Sequence, residues 1–460
     1  MAGIGFELRK LVQRDDLLGV AAGYGYAALA TSGPWLLTIL ALAAVLTVGA
    51  PTAAPSDIAS FRLIIVYNFS SSLVLTAPIA IILTRYLADS IHARDVGQAP
   101  AALLGGLLLS YLATAPVAAV LYFWQAQAAP LMRLAVFLNL LGIAGIWTAG
   151  VFLTALKDYR ALMLSFASGL VAGIVLAAIL AERWGASGML LGFDAGLAIT
   201  LFTLIARIFA EYPTRASQPF VFLPYFRKYW DLALTALIYN LAIWADKWLM
   251  WLAPERQRLA IGFVNFPDYE SAMFLAYLSI VPSMAAFTLV IETRFFENYA
   301  RFYDDIQRHV SYSKIQANHQ AVIEAVMDGA RNFVILQGSI CFLGILLAPQ
   351  ILETLGVSFL QLSIFRIGLL GAFFHSGFLF LMIVLTYFDV RRITLTIAAV
   401  FLAANCFLTL ATLKLGFPYY GYGYFLSALA TFAAAFLATA QILDRLPYQA
   451  FVRNNSSVAQ

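Results

Sequence analysis

Asp158-Tyr159-Arg160 and Asp389-Val390-Arg391 stand about 231 residues apart in a chain of 460 and occur in the same setting. Each follows a long apolar stretch, each opens the next one, and each precedes a glycine by 27 positions, Gly185 and Gly416. An arginine lies upstream of both, Arg133 and Arg366. An offset of about half the chain predicts one six-span unit written twice. Internal repeats of this kind mark membrane carriers in which one half rocks against the other.

Composition points the same way. The chain is 62% hydrophobic and only 11% charged, whereas soluble domains carry roughly 25% charged residues. A bilayer crossing needs about 20 mostly apolar residues. Twelve stretches qualify, near 19–48, 60–87, 99–123, 130–155, 161–181, 186–209, 229–252, 269–296, 329–349, 359–387, 393–414 and 418–443. The expected fold is therefore an all-α polytopic membrane protein, its twelve helices in two pseudo-symmetric six-helix lobes. The expected organisation is an interfacial helix over 1–18, an N-lobe over 19–212, a cytoplasmic linker over 213–228, a C-lobe over 229–445 and a tail over 446–460.

Lys and Arg set the orientation. With the N-terminus inside, 20 of the 28 basic residues fall on the cytoplasmic side and seven outside, leaving Lys247 within a span. This is the positive-inside bias, so both termini are expected in the cytoplasm. Six spans per half give both halves the same orientation, related by an axis along the membrane normal. The net charge of +4 is largely this bias, and we read no nucleic-acid binding into it. Ile4, Leu8, Leu11 and Val12 share one face ahead of the first span, the pattern of a helix lying on the inner surface. The first span is too long for a signal-peptide core. Cys341 and Cys406 both fall within spans, as small apolar residues do, and predict no disulfide.

An ionisable group at the centre of a bilayer costs about 2.5–3.5 kcal/mol on insertion scales, so those retained usually face a cavity or a partner. Asp194 lies roughly 12 Å below the outer end of its span, and Asp246 about 9 Å from an end, at 1.5 Å per residue. Lys247 follows Asp246, but neighbours on a helix point about 100° apart, so mutual neutralisation is not expected. Lys247 instead joins Trp244, Trp248 and Trp251 in a stripe. Indole faces stack on the C–H faces of sugar rings, so the stripe suits a carbohydrate path. An interfacial tryptophan belt with a snorkelling lysine gives the same pattern. Arg62, Arg133 and Arg366 sit near outer span ends, placed to line the mouth of a path or to reach headgroups. Gly33 and Pro34 in the first span predict a bend that serves gating or close packing. His375, in mid-span, suits a proton relay or an interhelical hydrogen bond.

The longest loop, Glu297–Asp328, places Tyr299, Phe302, Tyr303, Ile306 and Val310 at helical spacing. Phe302 and Ile306 are candidate docking residues for a cytoplasmic partner, against the alternative of a helix on the lipid surface. No Gly-rich phosphate loop accompanies Asp304-Asp305, and no cofactor or metal is expected.

Five stretches together resemble a known family: Met1–Leu11 (MAGIGFELRKL), Thr31-Ser32-Gly33-Pro34-Trp35, Thr84-Arg85-Tyr86, Asp246-Lys247-Trp248 and Tyr387-Phe388-Asp389-Val390-Arg391-Arg392. They look like the inner-membrane transporters of the Pel exopolysaccharide, within the superfamily of multidrug, oligosaccharidyl-lipid and polysaccharide exporters. The resemblance runs over nearly the whole chain. It implies the V-shaped two-lobe architecture of multidrug exporters and flippases, and a bacterial inner-membrane location. It also implies export of a hexosamine-rich, partly cationic polysaccharide for a biofilm matrix, alongside a cytoplasmic glycosyltransferase and cyclic-di-GMP-responsive membrane partners. A lipid-linked oligosaccharide flippase and a scaffold for a polysaccharide synthase are the alternatives. A major-facilitator carrier is disfavoured, because the longest loop follows the eighth span and Leu87–Gln98 lacks that family's Gly-x-x-x-Asp-Arg signature.

Overall fold

The computed structural model describes residues 36–47, 53–125, 128–156, 158–212, 217–356 and 358–448. The predicted surface helix, the bend at Gly33 and Pro34, and most of the tail lie outside these. Among the described residues nine helical runs are long and apolar enough to cross a membrane. In chain order the helices are α1 (Leu36–Thr47), α2 (Pro55–His92), α3 (Ala99–Ala119), α4 (Pro130–Leu156) and α5 (Tyr159–Glu211). Then come α6 (Leu223–Lys228), α7 (Trp230–Met250), α8 (Pro267–Leu278), α9 (Ile280–Val290), α10 (Phe296–Gln307) and α11 (Tyr312–Leu346). The last are α12 (Ala348–Thr354), α13 (Leu362–Tyr387), α14 (Arg391–Leu415), α15 (Tyr422–Asp444) and α16 (Leu446–Tyr448). Three facts reconcile the nine runs with twelve predicted spans. One run, α5, holds two of them; α7 is the seventh, its mean hydropathy lowered by Asp246 and Lys247; and α1 is the described part of the first.

The described residues divide into two compact units, one within 36–244 and 254–266, the other within 245–253 and 267–448. In the first, the core is Phe61, Ile82, Leu83, Leu140, Phe152 and Phe193, each almost fully buried. In the second it is Phe287, Phe302, Ile364, Val384, Phe401 and Tyr424. Leu112, Leu164, Phe202, Phe342 and Phe407 point outward with more than half their surface open, the mark of helices solvated by lipid tails.

The repeated motif works in both units. Asp158 caps α5, accepting from the Ala161 amide at 3.1 Å, and 27 residues on Gly185 adopts φ 51°, so that α5 folds back on itself. Asp389 (φ 51°) precedes α14, and Gly416 (φ 93°) ends it before α15. A positive φ is the left-handed region glycine enters without steric cost. Inside the α5 hairpin the two arms touch backbone to backbone at Gly169, Gly173, Gly192 and Gly196, the small-residue packing of membrane helices. Burial alone would raise the Asp158 carboxyl, but the Ala161 amide and the Arg207 guanidinium, 2.7 Å away, hold it below the ordinary carboxylate range.

One expectation is corrected here. The stretch 297–328 is a helical hairpin: α9 runs through a π-helical turn at Ile291–Phe295 into α10, a short turn follows, and α11 begins at Tyr312. The apolar face of α10 points into the protein. Phe302 is fully buried, its ring 5.3 Å from Tyr303 and 6.2 Å from His319, and Ile306 is half-buried. Asp305 accepts from Asn318 at 2.7 Å, stapling the hairpin. Phe302 is therefore no docking residue, because α11 already covers the face that helical spacing made look free. Phe302→Ala is expected to cost about 3–5 kcal/mol, read as a lower melting temperature of the purified protein.

Candidate functional site

Asp246 lies near the end of α7, with no exposed surface. Its Oδ1 accepts from Lys247 Nζ at 3.0 Å and from Asn405 Nδ2 at 3.4 Å, and its Oδ2 accepts from the Tyr269 hydroxyl at 2.8 Å. Asn405 in α14 is in turn bonded by Thr409 at 3.2 Å. Contrary to the 100° argument, Asp246 and Lys247 pair directly, since the lysine stem is long enough to curl back around the helix. The Lys247 ammonium stands over the rings of Tyr277, 4.1 Å from the centroid, and Tyr424, 5.3 Å away. Desolvated cation–π contacts contribute up to about 2 kcal/mol each, which offsets part of the cost of burying the ammonium. His375 sits next in the cluster, its Nδ1 3.0 Å from the Tyr424 hydroxyl and its ring 4.7 Å from Phe378. The interhelical hydrogen bond is thus present, and a relay is not needed to explain the residue.

The second unit, 267–460 with 245–253, thus gathers the end of α7 from Ala245 on, α8, α13, α14 and α15 around one ion pair. The first unit holds a different polar chain. Tyr122 donates to Asn68 Oδ1 at 2.5 Å, Asn68 to Asn139 at 2.8 Å, and Asn139 to Asp194 Oδ1 at 2.6 Å. Asp194 Oδ2 is shielded and accepts no hydrogen bond from the described residues.

The remaining candidates scatter. Trp244 belongs to the first unit and is half-buried, as is Trp248 in the second. Trp251 donates to Glu270 at 2.6 Å. Arg133 donates through Nε to Ala128 O at 2.8 Å beside Tyr122 and Phe263, and Arg366 to Ile345 O at 3.2 Å. Arg62 is half-buried. Sequence reasoning missed Tyr269, Tyr277, Asn405 and Tyr424. The partners of Asp246 lie 23 and 159 residues away in the chain, and only their polarity inside apolar spans hinted at a role.

Apolar helices, two units built on one repeated hairpin and buried charges within the spans define a membrane transporter, not an enzyme. Comparison agrees. The model of the PelG family, described as "Putative exopolysaccharide Exporter (EPS-E)", matches residues 1–451, and the chain belongs to that family. The fold is that of the multidrug exporter superfamily. The chain is similar to an outward-facing multidrug resistance MATE family transporter (TM-score 0.64, 15% identity, 96% of this chain and 98% of that one). It is also similar to an inward-facing MATE structure (0.60, 15%, 91% and 99%). A MOP superfamily transporter from Pyrococcus furiosus gives 0.63 and 14% over 92% and 96%. No curated protein matches the chain.

Proposed function

We propose that the chain carries a hexosamine-rich, partly cationic exopolysaccharide across the bacterial inner membrane for a biofilm matrix, by alternating access between its lobes or along a synthase-coupled path. The observation that carries this reading is the family match over 1–451. The buried Asp246–Lys247 pair supplies the chemistry. A carboxylate held by three donors and an ammonium held by two rings form a charge pair that a coupling ion or a polymer ammonium can enter by exchanging partners. Asp194 is the second group of this kind. The cytoplasmic glycosyltransferase that makes the polymer and cyclic-di-GMP-responsive membrane proteins are the partners this role calls for.

Both termini are placed in the cytoplasm by the basic bias. Cysteine introduced at the exposed Ser313, in the first turn of α11, is then expected to react only with reagents that reach the cytoplasm; labelling from the periplasm reverses the orientation. The function itself is tested by reconstituting the synthase with this chain in vesicles. Polymer crossing the bilayer only when the chain is present supports export, and a response to an imposed ion gradient assigns the driving force. Equal crossing without the chain defeats the proposal.

A further inference from the structure

The segment that joins α7 to α8 is a small β-hairpin, in which Gln257–Arg258 pairs antiparallel with Val264–Asn265. It packs within the first unit, whereas the residues on either side of it, 245–253 and 267 onward, belong to the second. Both ends of the hairpin are thus carried by the other unit. Its tip is a closed turn: the Gly262 amide donates to Leu259 O at 2.9 Å, the Leu259 amide donates to Phe263 O at 3.0 Å, and Gly262 takes φ 88°.

The hairpin seats on the first unit by its second strand. Phe263 is buried against two tyrosines, its ring 5.0 Å from Tyr67 and 5.7 Å from Tyr122, and the Tyr67 hydroxyl donates to Val264 O at 2.7 Å. Ile261 and Phe263 share a small cavity with Ile64, Met132 and Val136. Seating has a cost. Asn265 is buried, and its Oδ1 is shielded and accepts no hydrogen bond from the described residues. A buried acceptor without a donor carries its full desolvation penalty, which lifting the hairpin into water would relieve.

Tyr122 also begins the polar chain of this unit. Its hydroxyl donates to Asn68, Asn68 donates to Asn139, and Asn139 donates to Asp194 Oδ1. Every donor points towards the carboxylate, and bonds to an ionised acceptor are roughly twice as strong as neutral ones. The charge on Asp194 therefore holds Tyr122 in the position at which Phe263 seats. Tyr122 stands on the π-helical turn Val120–Gln125, an element that often marks a functional position.

We infer that the hairpin is a latch over the end of the first unit that the basic bias assigns to the periplasm, held shut by the charge on Asp194 through Asn139, Asn68 and Tyr122. The inference rests on the reading above in which Asp194 takes up a coupling ion. A cation at Oδ2 weakens Oδ1 as an acceptor, loosens the chain and frees the hairpin, so the outer end opens once the ion is bound.

The test uses the full-length protein in detergent. Met132→Cys places a thiol in the cavity beside the hairpin, and its alkylation by a maleimide is followed by peptide mass spectrometry. Native Cys341, buried in the other unit, reports global opening and is expected to stay unlabelled. Tyr67→Phe removes one hydrogen bond of the seat, and Asp194→Asn removes the charge. Each is expected to speed labelling of the introduced thiol about fivefold, by populating the lifted state. Tyr122→Phe cuts the chain, and in its presence Asp194→Asn is expected to add nothing further. Labelling that Tyr67→Phe leaves unchanged, or that rises in step with labelling of Cys341, overturns the latch. Labelling that Asp194→Asn leaves unchanged, or speeds equally with and without Tyr122→Phe, overturns the coupling. No polymer is present, so either failure leaves the export reading standing.

Discussion

Asp246→Asn is expected to destabilise the protein and to stop export, and a second substitution separates the two effects. The variant leaves the Lys247 ammonium buried with two aromatic rings but without its carboxylate. Removing one partner of a buried ion pair costs about 3–5 kcal/mol, because the other charge remains desolvated and unpaired. Lys247→Met alone leaves the carboxylate with its donors from Tyr269 and Asn405, and is expected to cost less. Asp246→Asn with Lys247→Met removes both charges at nearly constant volume, so melting temperature is expected to return close to that of wild type. Export is expected to stay lost, because a neutral pair cannot exchange a cation. A double variant that melts like wild type and exports like wild type would make the pair structural only.

The second large effect concerns the hairpin of α5. A Cβ at Gly196 would stand 2.5 Å from the Gly169 carbonyl oxygen and 2.6 Å from the Gly173 Cα, both backbone atoms that cannot swing aside. Gly196→Leu must therefore part the two arms. Its cost is expected to exceed the ~1–3 kcal/mol of ordinary overpacking, and the variant should be nearly absent from the membrane on a quantitative blot. Gly150→Ala is the control. Its Cβ meets nothing within 4 Å, and alanine in a helix is favoured over glycine by up to about 1 kcal/mol, so abundance should be unchanged. A stable Gly196→Leu protein would mean that the arms do not close as described.

The same hairpin shows what the sequence made legible. Asp158 and Gly185, with Asp389 and Gly416, are visible as a repeat because their spacing is the same in both halves, whereas the cap that Asp158 makes and the positive φ of Gly185, Asp389 and Gly416 appear only in the structure. Gly192 and Gly423 repeat at the same offset, and both press against the facing helix, at Ala177 and Thr409. That signal was present but is hard to separate from the many other small residues of an apolar chain. Span positions follow from hydropathy alone, but the stretch 297–328 does not: its amphipathic spacing says that one face is covered, not whether lipid, a partner or α11 covers it. The site was legible in part. The cost of burying Asp246 and Lys247 singles them out, but the donors that meet them come from α8 and α14. Helical spacing within α7 cannot supply those contacts, and it drew attention to the tryptophans instead.

Protection of newly made polymer in inverted membrane vesicles tests the central claim most directly. Synthase in such vesicles makes polymer on the exposed cytoplasmic face, where an added glycoside hydrolase degrades it. With the wild-type chain present, the polymer is expected to enter the lumen and survive the hydrolase; without the chain, or with the Asp246→Asn, Lys247→Met double variant at equal abundance, it is expected to be digested. Polymer that remains digestible with the wild-type chain, or is protected equally by the double variant, would contradict the account.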